Sequence, residues 1–159
     1  MARSGKVVKR LISPDPLYNN RLVTKLINQV MRQGKKNIAQ KIVYRAFDRI
    51  EEETGQKPLE VFRQAVENIK PGMEVKPRRI GGAAYQIPLP VRGDRKESLA
   101  IRWLIQAAKA KPNKEYHRFD LKLAAEIIAA ARGEGGAVKR REDIQRLAES
   151  NKAFAHFRW

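Results

Sequence analysis

The chain has 159 residues, a length suited to one domain around one core, and its 42% apolar content is compatible with folding. Its 34 lysines and arginines against 17 acids give a formal net charge of +17, which opposes compaction and points to a polyanionic partner, nucleic acid first. The absence of cysteine excludes a disulfide framework and thiol-ligated metal, and no apolar run is long enough to span a bilayer.

Residues 1–12 carry four cations, Arg3, Lys6, Lys9 and Arg10, and no acid, so they read as a basic N-terminal tail. Residues 13–159 form the domain. Pro14 and Pro16 block helix until Asn19 or Asn20 can cap one. Leu22, Val23, Leu26, Ile27, Val30 and Met31 then make a helical stripe that Gly34 is expected to end. A second helix should bury Ile38, Ile42, Val43, Ala46, Phe47 and Ile50 before Thr54-Gly55 stops it. Pro58 opens a third, with Leu59, Phe62, Val66 and Ile69 inward, and Pro71-Gly72 closes it.

Residues 73–91 are the one convincing β-type stretch. Tyr85, Ile87, Leu89 and Val91 recur at period two on the returning side, Met73 and Val75 on the outgoing side, and Gly81-Gly82 permits the reversal. Lys76, Arg78 and Arg79 precede that turn, with no acid between Glu74 and Asp94. Asp94 and Glu97 have the spacing of a capping box for a fourth helix running to about Ala110. A basic connector, Lys109 through Lys114, leads to a fifth helix containing Leu121, Ala124, Ala125, Ile127, Ile128 and Ala131. After the break at Gly133-Glu-Gly-Gly136, a last helix is expected from about Val138 to Phe154. The fold class is mainly α: a single domain of six helices with a protruding two-stranded β-hairpin arm.

Catalytic constellations are missing from the pattern. The two histidines, His117 and His156, belong to no HExxH or related metal motif, and neither glycine cluster fits a Walker loop or a dinucleotide-binding turn. No catalytic residue, metal site, cofactor or small-molecule substrate is expected. Glu51-Glu52-Glu53 reads as a solvated helix end. The cations say more. Between Asp15 and Asp48 stand Arg21, Lys25, Arg32, Lys35, Lys36, Lys41 and Arg45 with no acid, so an external counter-charge is expected. Lys139-Arg140-Arg141 opens the last helix, where cations oppose the macrodipole unless phosphates approach its free N–H groups. Trp103, in stripe with Leu99, Leu104 and Ala107, is assigned to packing. The terminal Phe154-Ala-His-Phe-Arg-Trp159 calls for docking on the domain, on RNA or on a neighbour.

On these grounds alone DNA and RNA both stay open. A helical body with a β-arm can serve a sequence-specific DNA-binding regulator, and Lys35-Lys36-Asn37 stands where a helix-turn-helix would place recognition residues. The simpler reading of that segment is an antiparallel helix pair. Several separated basic surfaces on one body suit a folded RNA approaching from different directions. A membrane surface would require the cations opposite Trp, Phe and Leu on one amphipathic helix, and they are spread instead over tail, loops and arm.

Asp15-Pro16-Leu17-Tyr18, the Gln33-Gly34-Lys35-Lys36-Asn37 turn and Gln64-Ala65-Val66-Glu67-Asn68 resemble successive motifs of the bacterial-type small-subunit ribosomal protein S-seven family. So do Arg78-Arg79-Ile80-Gly81-Gly82 with Tyr85-Gln86-Ile87-Pro88, then Arg102-Trp103-Leu104, and Gly136-Ala137-Val138-Lys139-Arg140-Arg141-Glu142-Asp143. Asn151-Lys152-Ala153-Phe154-Ala155-His156 and Arg158-Trp159 complete a match from about residue 13 to 159. The resemblance implies six helices with a hairpin arm. It further implies a primary binder of 16S-type small-subunit rRNA that nucleates assembly of the subunit head, cytoplasmic or organellar. Its place would be at the subunit interface near the exit site, beside ribosomal proteins S-eleven and S-nine.

On that resemblance the rRNA-binding residues are Lys35, Lys36, Lys76, Arg95, Arg102, Lys139, Arg140 and Arg141, with Arg3, Lys6, Lys9 and Arg10 of the tail corresponding by location. Arg78, Arg79, Gly81, Gly82, Tyr85, Lys152 and Arg158 would face exit-site tRNA and exiting mRNA. The chain departs from the family pattern at Pro77, Ala84 and Pro90 of the arm and in a longer, more aromatic connector at residues 112–120.

Overall fold

The computed structural model describes residues 11–157. Six α-helices and one hairpin follow in chain order: α1 (Arg21–Val30), α2 (Lys36–Thr54), α3 (Pro58–Ile69), β1 (Met73–Ile80), β2 (Ala83–Pro90), α4 (Gly93–Ala110), α5 (Phe119–Ala131) and α6 (Gly136–Ser150). A 3-10 turn, Lys152–Phe157, follows the last helix. The tail candidates Arg3, Lys6, Lys9 and Arg10, and Arg158 at the other end, lie outside the described residues.

Helix α5 is the centre of the body and packs against α2, α3, α4 and α6. Its run of Ala and Ile lets neighbouring backbones approach closely, and Leu123, Ala124, Ile127 and Ala130 are buried. Phe47 of α2 and Phe62 of α3 meet at 5.6 Å between ring centres and extend the core away from α5. Trp103 is buried in the same cluster, as its helical stripe predicts.

The chain enters the body through Asp15, which is only 3% exposed. Its carboxylate accepts the backbone N–H groups of Leu17 and Tyr18, both at 3.2 Å, and the Tyr44 hydroxyl at 2.9 Å. This Asx-type turn directs the chain into α1, whose N-cap Asn20 accepts from the Leu22 N–H at 2.7 Å. Burial, reinforced by the bond to Asp15, raises the Tyr44 hydroxyl above the ordinary tyrosine range.

Three helix boundaries and the burial of one residue differ from the sequence expectation. Helix α1 ends at Val30, before Gly34; Gln33 and Gly34, with φ of +53° and +73°, form the turn into α2. Helix α4 starts at Gly93 with Arg92 as N-cap, so Asp94 lies in the first turn and no capping box forms. Glu97 instead accepts the Lys25 ammonium of α1 at 2.6 Å. Helix α6 stops at Ser150 with Asn151 as its C-cap, whose side-chain amide donates to the Leu147 carbonyl beside the last helical backbone bond. Ile38, expected inside, is 56% exposed.

The start of α6 depends on Glu126, a carboxylate in the middle of α5 that is 2% exposed. It accepts the Ala137 N–H at 3.0 Å and the Lys111 ammonium at 3.1 Å, joining the end of α4, the centre of α5 and the first turn of α6. That arrangement requires glycine at position 135, where φ is +94° and a Cβ would stand 2.9 Å from the Glu126 Oε1. Gly135→Ala should therefore lower stability by about 1–3 kcal/mol. Urea unfolding measures it, and a midpoint equal to that of the parent chain would remove the constraint.

Candidate nucleic-acid interface

The arm is an antiparallel ribbon in which Met73 faces Pro90 and Ile80 faces Ala83. Gly81 and Gly82 both have positive φ, +57° and +89°, as a two-residue hairpin turn of the primed type requires. Pro77, Pro88 and Pro90 are tolerated because each strand of a two-stranded ribbon has an open edge.

Two clamps fix this arm to the body. At its base, Glu74 accepts Arg95 of α4 at 2.7 Å and Lys76 at 3.3 Å, while the Val91 N–H donates to the Gly72 carbonyl. Further out, Tyr85 lies 5.1 Å from the Phe154 ring and 5.9 Å from the Phe157 ring of the terminal 3-10 turn. His156 closes that turn by bonding the Ala153 carbonyl and packs 3.9 Å from Phe157. Phe154 and Phe157 thus dock on the domain, one of the three destinations their sequence left open, while Trp159 lies outside the described residues.

Three cationic surfaces result. The first surrounds the α1–α2 turn, where Lys35 and Lys36 are exposed and Lys35, as N-cap, makes no side-chain cap bond. The second follows the arm. Arg78 lies opposite Tyr85 on one face, and its neighbour Arg79 points from the other face by the pleat of the strand. Arg92, not singled out from the sequence, joins Lys76 and Arg95 in lining a cleft at the arm's base. Only its position immediately before the fourth helix could have signalled it. The third surface brings Arg140 of α6 beside Gln106 of α4. Arg102 stands one helical turn before Gln106, and Lys139 is exposed next to Arg140.

Not every expected phosphate contact is free for one. Arg141 is turned toward the body: its Nη1 donates to the Asn68 carbonyl at 2.5 Å and its Nη2 to Glu142 at 3.2 Å. Asn68 in turn donates to the Ala130 and Ala131 carbonyls at the end of α5, so this arginine joins α6 to α3 and α5. Phosphate is not needed at the first N–H groups of α6 either, because Glu126 already accepts one of them. In the first turn of α5, Lys122 is buried and donates to the Lys111 carbonyl and to Asn113 of the connector, which removes it from the surface charge. Among the described residues, no group of three or more His, Cys, Asp or Glu could hold a metal ion. No helix there is long and apolar enough to cross a membrane.

The family model for ribosomal protein S7p/S5e matches residues 2–152. Relatives named small ribosomal subunit protein uS7 are 55% identical in Carboxydothermus hydrogenoformans and 57% identical in Caldicellulosiruptor saccharolyticus, in both cases over 100% of each chain. The counterpart in Thermotoga maritima is 57% identical over 99% of each chain. The chain belongs to this family.

The S7p/S5e family binds ribosomal RNA generally and is a family of ribosomal constituents rather than of enzymes. The family motifs also acquire physical content here. The Asp15 motif is the turn that starts α1, the motif ending in Asn68 carries the amide that closes α5, and the Gly136 motif begins where Glu126 holds the backbone.

Within the triplet at the start of α6, the roles should separate on mutation. Arg141→Ala is expected to cost about 1–3 kcal/mol of stability through the loss of its bonds to the body, whereas Arg140→Ala should stay within about 0.5 kcal/mol. Thermal unfolding of the two variants checks this; equal effects would mean Arg141 is no anchor. Replacing Phe154 and Phe157 together by Ala should speed amide exchange in residues 83–88 while leaving exchange in α5 unchanged. Unaltered exchange in the outer half of the arm would show that the aromatic clamp does not hold it.

Proposed function

We propose that this chain is a primary binder of 16S-type small-subunit rRNA that nucleates assembly of the subunit head. In this reading the helical body anchors on RNA through Lys35, Lys36, Lys76, Arg95, Arg102, Lys139 and Arg140, and Arg141 sets the helix that presents two of them. The arm and the terminal turn, through Arg78, Arg79, Gly81, Gly82, Tyr85 and Lys152, face exit-site tRNA and outgoing mRNA. Neighbouring proteins S-eleven and S-nine, a cytoplasmic or organellar ribosome as location, and the absence of a catalytic role belong to the same reading.

The observation that carries it is the separation of the cations over several faces of one rigid helical body, with the arm projecting from it. A DNA-reading protein concentrates its contacts on the element that enters a groove. A folded RNA offers phosphates from several directions, and its shape is read where helices converge. Phosphate contacts position such a protein, and its affinity then depends steeply on salt.

Binding of the chain to head-domain rRNA should give a log-log salt slope of magnitude roughly 5 to 8, as expected for about eight neutralised phosphates. A slope near zero in a filter-binding series would reject an electrostatic anchor. Deleting residues 77–84 should spare co-sedimentation with small subunits and disturb exit-site tRNA retention. Loss of subunit binding by that deletion would make the arm an anchor instead.

A further inference from the structure

We propose that Glu74 determines specificity at the root of the arm: its carboxylate, set behind Lys76 and Arg95, denies those two cations to RNA of the wrong shape. The inference rests on the rRNA-binding reading. It adds a residue that discriminates among RNAs while making no phosphate contact of its own.

Lys76, Arg92 and Arg95 line the cleft between the arm and the start of α4, with Glu74 and Asp94 among them. The Glu74 side chain is 13% exposed, whereas those of Lys76 and Arg95 are 52% and 53% exposed. The acid is therefore recessed and the two cations stand out from it. Its Oε2 accepts the Arg95 Nε–H at 2.7 Å and its Oε1 lies 3.3 Å from the Lys76 ammonium, so each oxygen serves a cation from a different element. Arg92 is in no ion pair among the described residues.

Holding the arm does not by itself require this acid. The Val91 N–H bond to the Gly72 carbonyl, the packing of α6 along both strands and the rings of Phe154 and Phe157 on Tyr85 already do so. The chain places no further acid between Glu74 and Asp94, although Lys76, Arg78, Arg79 and Arg92 lie there. One carboxylate where two cations converge lowers the pull of the cleft on polyanions in general.

The bond to Nε leaves both Nη groups of Arg95 without a partner among the described residues. A phosphate presented at the rim can meet those donors with the acid behind them. The evenly charged backbone of a plain duplex brings neighbouring phosphates over the acid as well, and like charges set together penalise that partner. A folded RNA with a single phosphate directed at the cleft escapes the penalty.

The experiment compares the full chain with Glu74→Gln and Glu74→Asp, binding each to a head-domain rRNA fragment and to a plain RNA duplex of the same length. Glu74→Gln keeps the length of the side chain and an oxygen for Arg95 but loses the charge. It should tighten duplex binding on the order of 10-fold, reduce the preference for the fragment accordingly and steepen the duplex salt slope by about one. Glu74→Asp keeps the charge and should keep the preference. In a chain already carrying Lys76→Gln and Arg95→Gln, adding Glu74→Gln should change the preference no further. Thermal unfolding of every variant verifies that each is folded at the temperature of the binding series.

A structural clamp predicts the reverse order, with the shorter Asp more damaging than the isosteric Gln. That order, or a parent-like preference in Glu74→Gln, would overturn the assignment while leaving rRNA binding intact. Failure of the parent chain to bind the fragment would instead strike the underlying rRNA-binding reading.

Discussion

The Glu126 carboxylate sits where three segments of the chain must agree. It is buried in α5 and is held by the Lys111 ammonium from the end of α4 and by the Ala137 N–H from the first turn of α6. Burying a charge is costly unless its partners are in place, so the carboxylate is tolerated only when all three segments are assembled. Helix α6 then begins at a fixed point and in a fixed direction. Everything it carries is placed with it: Lys139 and Arg140 on its exposed side, Arg141 against Asn68, and the terminal turn against the arm.

The arm inherits its position from that helix at one remove. A two-stranded ribbon has too little core of its own to hold a direction against thermal motion. Here α6 packs along β1 and β2, and the turn after it brings Phe154 and Phe157 onto Tyr85. Glu74 fixes the root by holding Arg95. A cationic projection fixed at both places presents Arg79 and the glycine turn at a defined distance from the body, which suits contact with an anchored rather than a diffusing polyanion.

The large positive charge is divided between two uses. Lys25, Lys111, Lys122 and Arg141 are spent inside the molecule, on Glu97, on Glu126, on connector carbonyls and on the Asn68 carbonyl. Lys35, Lys36, Arg79, Arg102, Lys139 and Arg140 remain exposed. Sequence charge counting treats these groups alike. The difference comes from partners distant in the chain: Arg141 and Asn68 are 73 positions apart, Lys25 and Glu97 72.

By itself, the sequence determined what local physics can decide. The helices, the hairpin and its register follow from period, from the Asn20 and Pro58 signals and from two glycines that alone accept the turn, and the +17 charge pointed to a polyanion. The tertiary structure decided what depends on distant partners. The Asp94–Glu97 spacing resembles a capping box, yet Lys25 of another helix takes the Glu97 carboxylate. The apolar stripe of α2 includes Ile38, yet no other element reaches far enough to cover it. Likewise Arg140 and Arg141 are neighbours of one type, and only the carbonyl left open at the end of α3 turns one inward and leaves the other facing out.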